Sequence, residues 1–176
     1  IGSFFANEYD LLLGRRTYDI FAAFWPYVEG EEAAMGEAFT RANKYVLTHG
    51  DQPLEWANSH RLKSIDDVRA LKQGDGPDLI IQGSSTLYPA LIEAGLLDRL
   101  MLMTFPLTLG GGKRLFGDGT PAGMLRMVDH KVTPKGTVIA TYEPGGALPP
   151  FPPEGPTPST SAREAHRQQS MKDGTW

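Results

Sequence analysis

Three glycine-containing turns carry residue types that hold anions: Gly14-Arg15-Arg16-Thr17, Gly83-Ser84-Ser85-Thr86 and Gly110-Gly111-Gly112-Lys113-Arg114. In the first two, a short apolar run leads into the glycine and a helical pattern follows. A helix start presents backbone N–H groups without partners inside the helix and about half a positive charge, so phosphate settles there readily. Hydroxyls add donors, and the planar arginine fork matches two phosphate oxygens at once. The ordinary alternatives are a solvated turn for Arg15 and Arg16 and a simple helix cap for Ser84 or Ser85. The third turn has neither P-loop nor dinucleotide-fingerprint spacing, and taken alone a mobile loop with a solvated basic pair accounts for it.

The elements that must position these turns alternate between strand and helix. Residues 11–13 read as a buried strand and 17–24 as a helix stopped by Pro26; 33–41 is a second helix and 44–48 a strand ending at His49-Gly50. Residues 66–73 have helical spacing. Residues 78–82 then form a strand, Gly83 a sharp turn, and a helix runs to Ala94 with Gly95 as its stop. Residues 99–105 read as the next strand, and 125–132 with 137–142 as a hairpin about Thr-Pro-Lys-Gly. The pattern predicts an α/β fold with a mixed sheet covered on both faces. Two anion-holding turns at the ends of neighbouring strands could grip the two ends of one elongated phosphorylated ligand. A dinucleotide fits, and arginine favours NADPH over NADH because of its 2′-phosphate.

Residues 1–9 read as a helix that the chain enters midway, so an upstream N-terminus is expected. Residues 144–160 are rich in Pro, Gly and Ser and predict a linker. Ser161 and Glu164 make a capping box for a short polar helix over 162–172. The 176 residues suit one domain with a sizeable core, and 40% apolar with 22% charged residues is ordinary for a globular protein. A net charge of −4 gives no reason to expect nucleic acid or an anionic membrane as partner. There is no cysteine, which excludes disulfides, thiolate nucleophiles and cysteine-ligated zinc, and fits a cytoplasmic protein. No apolar run approaches the ~18 residues of a membrane span, and no signal-peptide pattern appears. His60, His130 and His166 show no metal-ligand spacing with one another, and His49, at a strand end, suits either a phosphate contact or a loop histidine with no role. Asp10, Asp51 and Asp118 are available as proton donors, although turn and capping roles suit each. The aromatic cluster Phe21, Phe24, Trp25 and Tyr27 suits core packing, or else one wall of a substrate cleft.

Taken in order, GRRTYDIF, FWP, KYVLT, DLIIQGSSTLYPALIEAGLLDRLML, the LGGGKRLFGDG loop and the closing hairpin resemble one family. It is the dihydrofolate reductase-like family that includes the reductase domain of the bacterial riboflavin-biosynthesis deaminase–reductase. The likeness implies a domain over residues 1–143 with a three-layer α/β/α fold, its central mixed, mostly parallel sheet closed by an antiparallel C-terminal hairpin. It leaves 144–176 as linker and tail. It implies NADPH as hydride donor, a small heterocyclic or carbonyl substrate, and a homodimer. Gly14, Arg15 and Thr17, with Arg16 between them, match the turn that contacts cofactor phosphates in relatives. Thr48 and His49 match the strand end near the 2′-phosphate, and Gly83, Ser84, Ser85, Thr86 and Leu87 match the pyrophosphate turn. Ile81, Gly111, Gly112 and Lys113 fall at positions near the substrate cleft, and Trp25 of the aromatic cluster is the candidate for its wall. Three departures stand out. The family's opening strand is absent, Ile81 replaces an acidic substrate contact of the riboflavin reductases, and the cysteines of a deaminase zinc site are missing. The alternative is a non-catalytic NADP(H)-binding homodimer of the same fold, or a structural dimer module with decayed sites.

Overall fold

The structure, a computed structural model, describes residues 7–149 and 161–175. Most of the helix expected over 1–9 lies outside the described residues, but Tyr9 belongs to a strand. Strand β1 (Tyr9–Gly14) is buried from Asp10 to Leu13, as a central parallel strand must be. Helix α1 (Arg15–Phe24) follows directly, two residues earlier than Thr17, where the sequence pattern puts its start. Two short 3₁₀ turns lead to α2 (Ala33–Arg41) and β2 (Lys44–Leu47). Strand β3 (Ser59–Leu62) was not anticipated: it is short and polar and carries no apolar pattern. Helix α3 (Ile65–Lys72) starts at a capping box in which Ser64 Oγ accepts from Asp67 N–H while the Asp67 carboxylate accepts from Ser64 N–H.

Strand β4 (Asp78–Ile80) leads through a 3₁₀ turn (Ser85–Leu87) into α4 (Tyr88–Glu93). Gly95, at φ +65°, stops α4 as expected, with Leu96 N–H donating back to Leu91 O at 2.8 Å. The chain closes with β5 (Leu100–Thr104), β6 (Met124–Val132) and β7 (Val138–Gly146). Strand β7 takes in Pro144 and Gly146, which the sequence reading assigned to the linker. There it has only β6 as neighbour, and an edge tolerates the missing proline N–H. Helix α5 (Ala162–Asp173) is capped by Ser161 Oγ, which accepts from Glu164 N–H at 3.2 Å.

The α/β class holds, with the strands divided between a parallel sheet of order β3-β2-β1-β4 and an antiparallel sheet of order β5-β7-β6. Each face of the parallel sheet has its own core. Leu11, Leu13 and Val46 meet Tyr18 of α1 and Phe39 of α2 on one face. Leu12 meets Val68 of α3 and Leu91 of α4 on the other. Alternation along β1 thus serves both layers. Among the described residues no helix is long and apolar enough to cross a membrane.

Candidate functional site

Strands β1 and β4 are parallel neighbours, so their C-terminal ends open on the same side. The chain leaves β1 for α1 on one face and leaves β4 for α4 on the other. In an open α/β sheet such a divergence leaves a crevice between the two strand ends, where ligands bind. Here the Gly14 and Gly83 turns meet in it and fasten to each other. Gly14 N–H donates to Ser84 Oγ at 2.9 Å, and Ser84 N–H donates to Thr17 Oγ1 at 3.2 Å.

Each turn therefore lends a backbone N–H to the other's hydroxyl. Of the two glycines, Gly83 is the one the approach needs: a Cβ there would lie 3.3 Å from Thr17 Cγ2, whereas one on Gly14 would meet Ser84 Oγ at an ordinary 3.6 Å. Gly83 has φ +74°, and Ser84 itself is left-handed at φ 51°, a conformation that disfavours residues with a Cβ. Ser84 is consequently not the cap of α4; its oxygen is turned to Gly14, and α4 proper begins only at Tyr88. Tyr88 Oη donates to Gly83 O at 2.8 Å, and burial pushes its pKa up, so the phenol stays a neutral donor.

These contacts sort the predicted cofactor residues. Ser84 Oγ and Thr17 Oγ1 each accept a hydrogen bond from a backbone N–H and keep their own O–H to donate elsewhere. The first amides of α1 and of the Ser85–Leu87 turn have no partners inside their helices. Leu87 packs beside Gly14, its Cδ2 3.8 Å from where a Cβ would stand. Arg15 is engaged: it pairs with Asp19 at 2.8 Å and donates to Gln52 O at 2.9 Å. Arg16 is exposed. Thr48 N–H extends the β2–β3 pairing to Leu62 O, its hydroxyl accepts from Gly50 N–H, and His49 is exposed.

A cleft of about 400 Å³ separates Ser85, Thr86 and Pro89 from Lys113, Arg114, Leu115, Gly117 and Asp118. The third glycine turn is thereby brought opposite the second, with Lys113 on its lining and Gly111 and Gly112 exposed beside it. Ile81 packs on the Leu12–Val68–Leu91 core. Trp25 packs edge-on against Phe39, ring centroids 4.8 Å apart, and lines a separate hollow with Gly36 and Arg41. Among the acids, both Asp10 oxygens accept from Asn43, and Asp118 lies 4.0 Å from Arg114. No cluster of metal-ligating side chains occurs among the described residues.

Two charged residues escaped the sequence reading. Arg61 of β3 donates to the carbonyls of Gly50 and Gln52. Lys44 is fully buried; its Nζ donates to Phe39 O at 3.0 Å and Thr40 O at 2.8 Å and lies 4.4 Å from the Trp56 ring centroid. Burial lowers its pKa to about 8, with Asp10 opposing the fall. The period of two that turns Val46 inward also turns Lys44 inward, which was the available signal.

A two-layered crevice of this kind, with helices on both faces of a parallel sheet and an antiparallel hairpin at the end, defines a dihydrofolate reductase-like α/β protein. The chain belongs to the RibD C-terminal domain family, whose model matches residues 3–139. It is 28% identical over 149 residues, 81% of this chain and 78% of the other, to the uncharacterised protein YyaP of Bacillus subtilis. A putative riboflavin biosynthesis protein from Shewanella sp. PV-4 has the same fold, with TM-score 0.58 and 21% identity over 77% of this chain and 73% of that one. So does dihydrofolate reductase from Enterococcus faecalis, solved as a complex with NADP(H), at TM-score 0.55 and 19% identity over 81% and 80% of the two chains. The family is reductase-like.

Proposed function

We propose that the chain is an NADPH-dependent reductase that delivers hydride to a small heterocyclic or carbonyl substrate. The observation that carries this reading is the reciprocal bonding of the two glycine turns, Gly14 N–H to Ser84 Oγ and Ser84 N–H to Thr17 Oγ1. It builds a single corner at the strand ends from two hydroxyls with a proton to spare and two sets of helix-start amides. That donor set suits a pyrophosphate. The nicotinamide, when bound, supplies the hydride.

The protein's own part is positional. Thr17 and Ser84 orient the phosphates, and Lys113 and Arg114 line the cleft running on from Ser85 and Thr86. Both sheet faces below are packed, so the ligand is held against a rigid base. The exposed apolar side chains of β5 and β6, among them Met103, Met127 and Val132, support a homodimer formed through the C-terminal sheet.

One observation favours the non-catalytic alternative: Asp10, the acid nearest the crevice in sequence, has both oxygens occupied by Asn43. Turnover separates the two readings. Thermal-shift titration with NADPH, NADH and pyrophosphate comes first, followed by NADPH oxidation against a panel of pyrimidine, pterin and carbonyl substrates. Stabilisation by NADPH with substrate-dependent oxidation is the expected result. Equal small shifts with all three ligands would remove the reductase reading.

A further inference from the structure

Residues 105–123, which join β5 to β6, carry no helix or strand. A structureless stretch beyond about 12–15 residues is uncommon in a compact domain, and is usually functional or disordered. Its start is pinned against the hairpin, where a Cβ on Gly136 would lie 3.4 Å from Pro106 Cγ. Beyond that point its backbone bonds are local: Leu107 N–H donates to Phe105 O at 2.9 Å, and Thr120 N–H to Gly117 O at 3.2 Å. Among the described residues no hydrogen bond joins 107–119 to a helix or strand. A Cβ on Gly110, Gly111, Gly112, Gly117 or Gly119 would meet nothing within 4 Å.

The side chains of this loop are of two kinds. Leu107, Leu109, Leu115 and Phe116 are apolar and exposed, Leu109 by 82%. Apolar area left in water is unfavourable in proportion to its extent, so a state that covers it gains. Lys113 has neither an ion pair nor a hydrogen bond among the described residues. Arg114 has only Asp118, 4.0 Å away at an exposed site, where a pair contributes little. Both cations line the cleft of about 400 Å³ whose other wall is Ser85, Thr86 and Pro89. With Asp118 they leave the loop's wall one positive charge in excess, so an anion between the walls draws the loop towards α4. Gly110 at φ +70° and Gly112 at φ +146° lie just before Lys113, and such residues absorb the dihedral changes of a hinge.

We propose that residues 107–119 form a lid, which swings about Gly110–Gly112 and closes on an anionic ligand in the cleft, Lys113 and Arg114 holding the anion while Leu115 and Phe116 cover it from water. The inference takes the ligand's identity from the reductase reading, whereas the movement requires only an anion. Hydrogen exchange of the whole chain, read by mass spectrometry with and without saturating NADPH or pyrophosphate, tests it, and thermal shift reports binding. Residues 107–112 decide the matter because they do not line the cleft. A ligand that merely shields a fixed loop slows the lining stretch 113–118 alone, and closure slows both. In the free parent 107–112 should exchange close to the unfolded-chain rate, and bound ligand should slow them about tenfold, as a lid closed for about nine-tenths of the time would. Lys113→Gln/Arg114→Gln alters two exposed positions. It should weaken both ligands by about tenfold or more and abolish the slowing at 107–112, even at saturation.

Binding without slowing at 107–112 overturns the lid and leaves the reductase reading standing. Slowing by pyrophosphate in a chain that NADPH does not stabilise supports the lid and removes the reductase reading. Slow exchange of 107–112 in the free parent means that the loop is already covered, which overturns the proposal. Slowing that the double variant retains overturns it too. Failure of both ligands to bind overturns the lid and the reductase reading together.

Discussion

Replacing Thr17 by valine isolates one of the two bonds that fasten the glycine turns. Valine keeps the shape of threonine and the methyl that stands against Gly83, and its helix propensity is nearly the same. What disappears is the acceptor for Ser84 N–H. Ser84 is 9% exposed, so that N–H loses its partner with little access to water. An unsatisfied group of this kind costs about 1–3 kcal/mol, and partial burial of the bond places Thr17→Val at about 1–2 kcal/mol. Ser84 is also left-handed without being glycine, a conformation that costs of order 1 kcal/mol and persists only while its surroundings impose it. Part of the loss should therefore be recovered by relaxation of the turn, and the same relaxation should displace the Gly14 bond. Urea unfolding reads the stability change, and the Thr17→Val/Ser84→Ala double variant reads the coupling: the double loss should be smaller than the sum, because both bonds pass through Ser84. Thr17→Ser retains the hydroxyl and should stay within about 0.5 kcal/mol of the parent. If Thr17→Val matches the parent while Thr17→Ser is destabilised, the methyl and not the hydrogen bond holds the turns together, and the corner described here has the wrong cause.

The hydrophobic layers yield two further outcomes. Gly36→Ala in α2 should gain about 1 kcal/mol from helix propensity, yet its new Cβ would stand 2.5 Å from both Trp25 O and Val28 Cγ1. The clash should win by about 1–3 kcal/mol, and a raised melting temperature would show that α2 is free to shift. Lys44 has a folded-state pKa of about 8 against an ordinary 10.5, so between those values the unfolded chain binds more protons. Stability should therefore rise with pH from about 8, by at most about 1.4 kcal/mol per pH unit, and the rise should be absent in Lys44→Met. The comparison belongs below pH 10, because burial raises the Tyr9 and Tyr88 phenols and their titration gives the opposite slope above it. A parent profile flat from pH 8 to 10 would mean that the Phe39 and Thr40 carbonyls and the Trp56 ring hold the ammonium charged despite its burial.

How far the sequence could be read differs between kinds of contact. Leu11, Leu12 and Leu13 announce a strand buried on both faces, and Gly14 and Gly83 announce turns, because each of those facts is local. The meeting of the turns is not local: Gly14 and Ser84 are 70 residues apart. Ser84 therefore looked like a cap for the helix after it, when its oxygen serves the helix of α1 instead. Gly14, the N-cap of α1, has no capping side chain of its own, and its N–H is taken by that same distant bond. Strand β3 escaped for a related reason. Ser59-His60-Arg61-Leu62 has no apolar period, and what makes it a strand is its parallel register with β2, Lys44 opposite Ser59 through Leu47 opposite Leu62. Its polarity is the cost of lying at the edge, and the side chain that polarity provides is Arg61. A residue that spoils the strand pattern in the sequence thus reaches across the sheet edge to the segment that Arg15 also holds. The least legible element of the fold and the least legible part of the site have one origin, since both depend on chain segments that only the parallel sheet brings together.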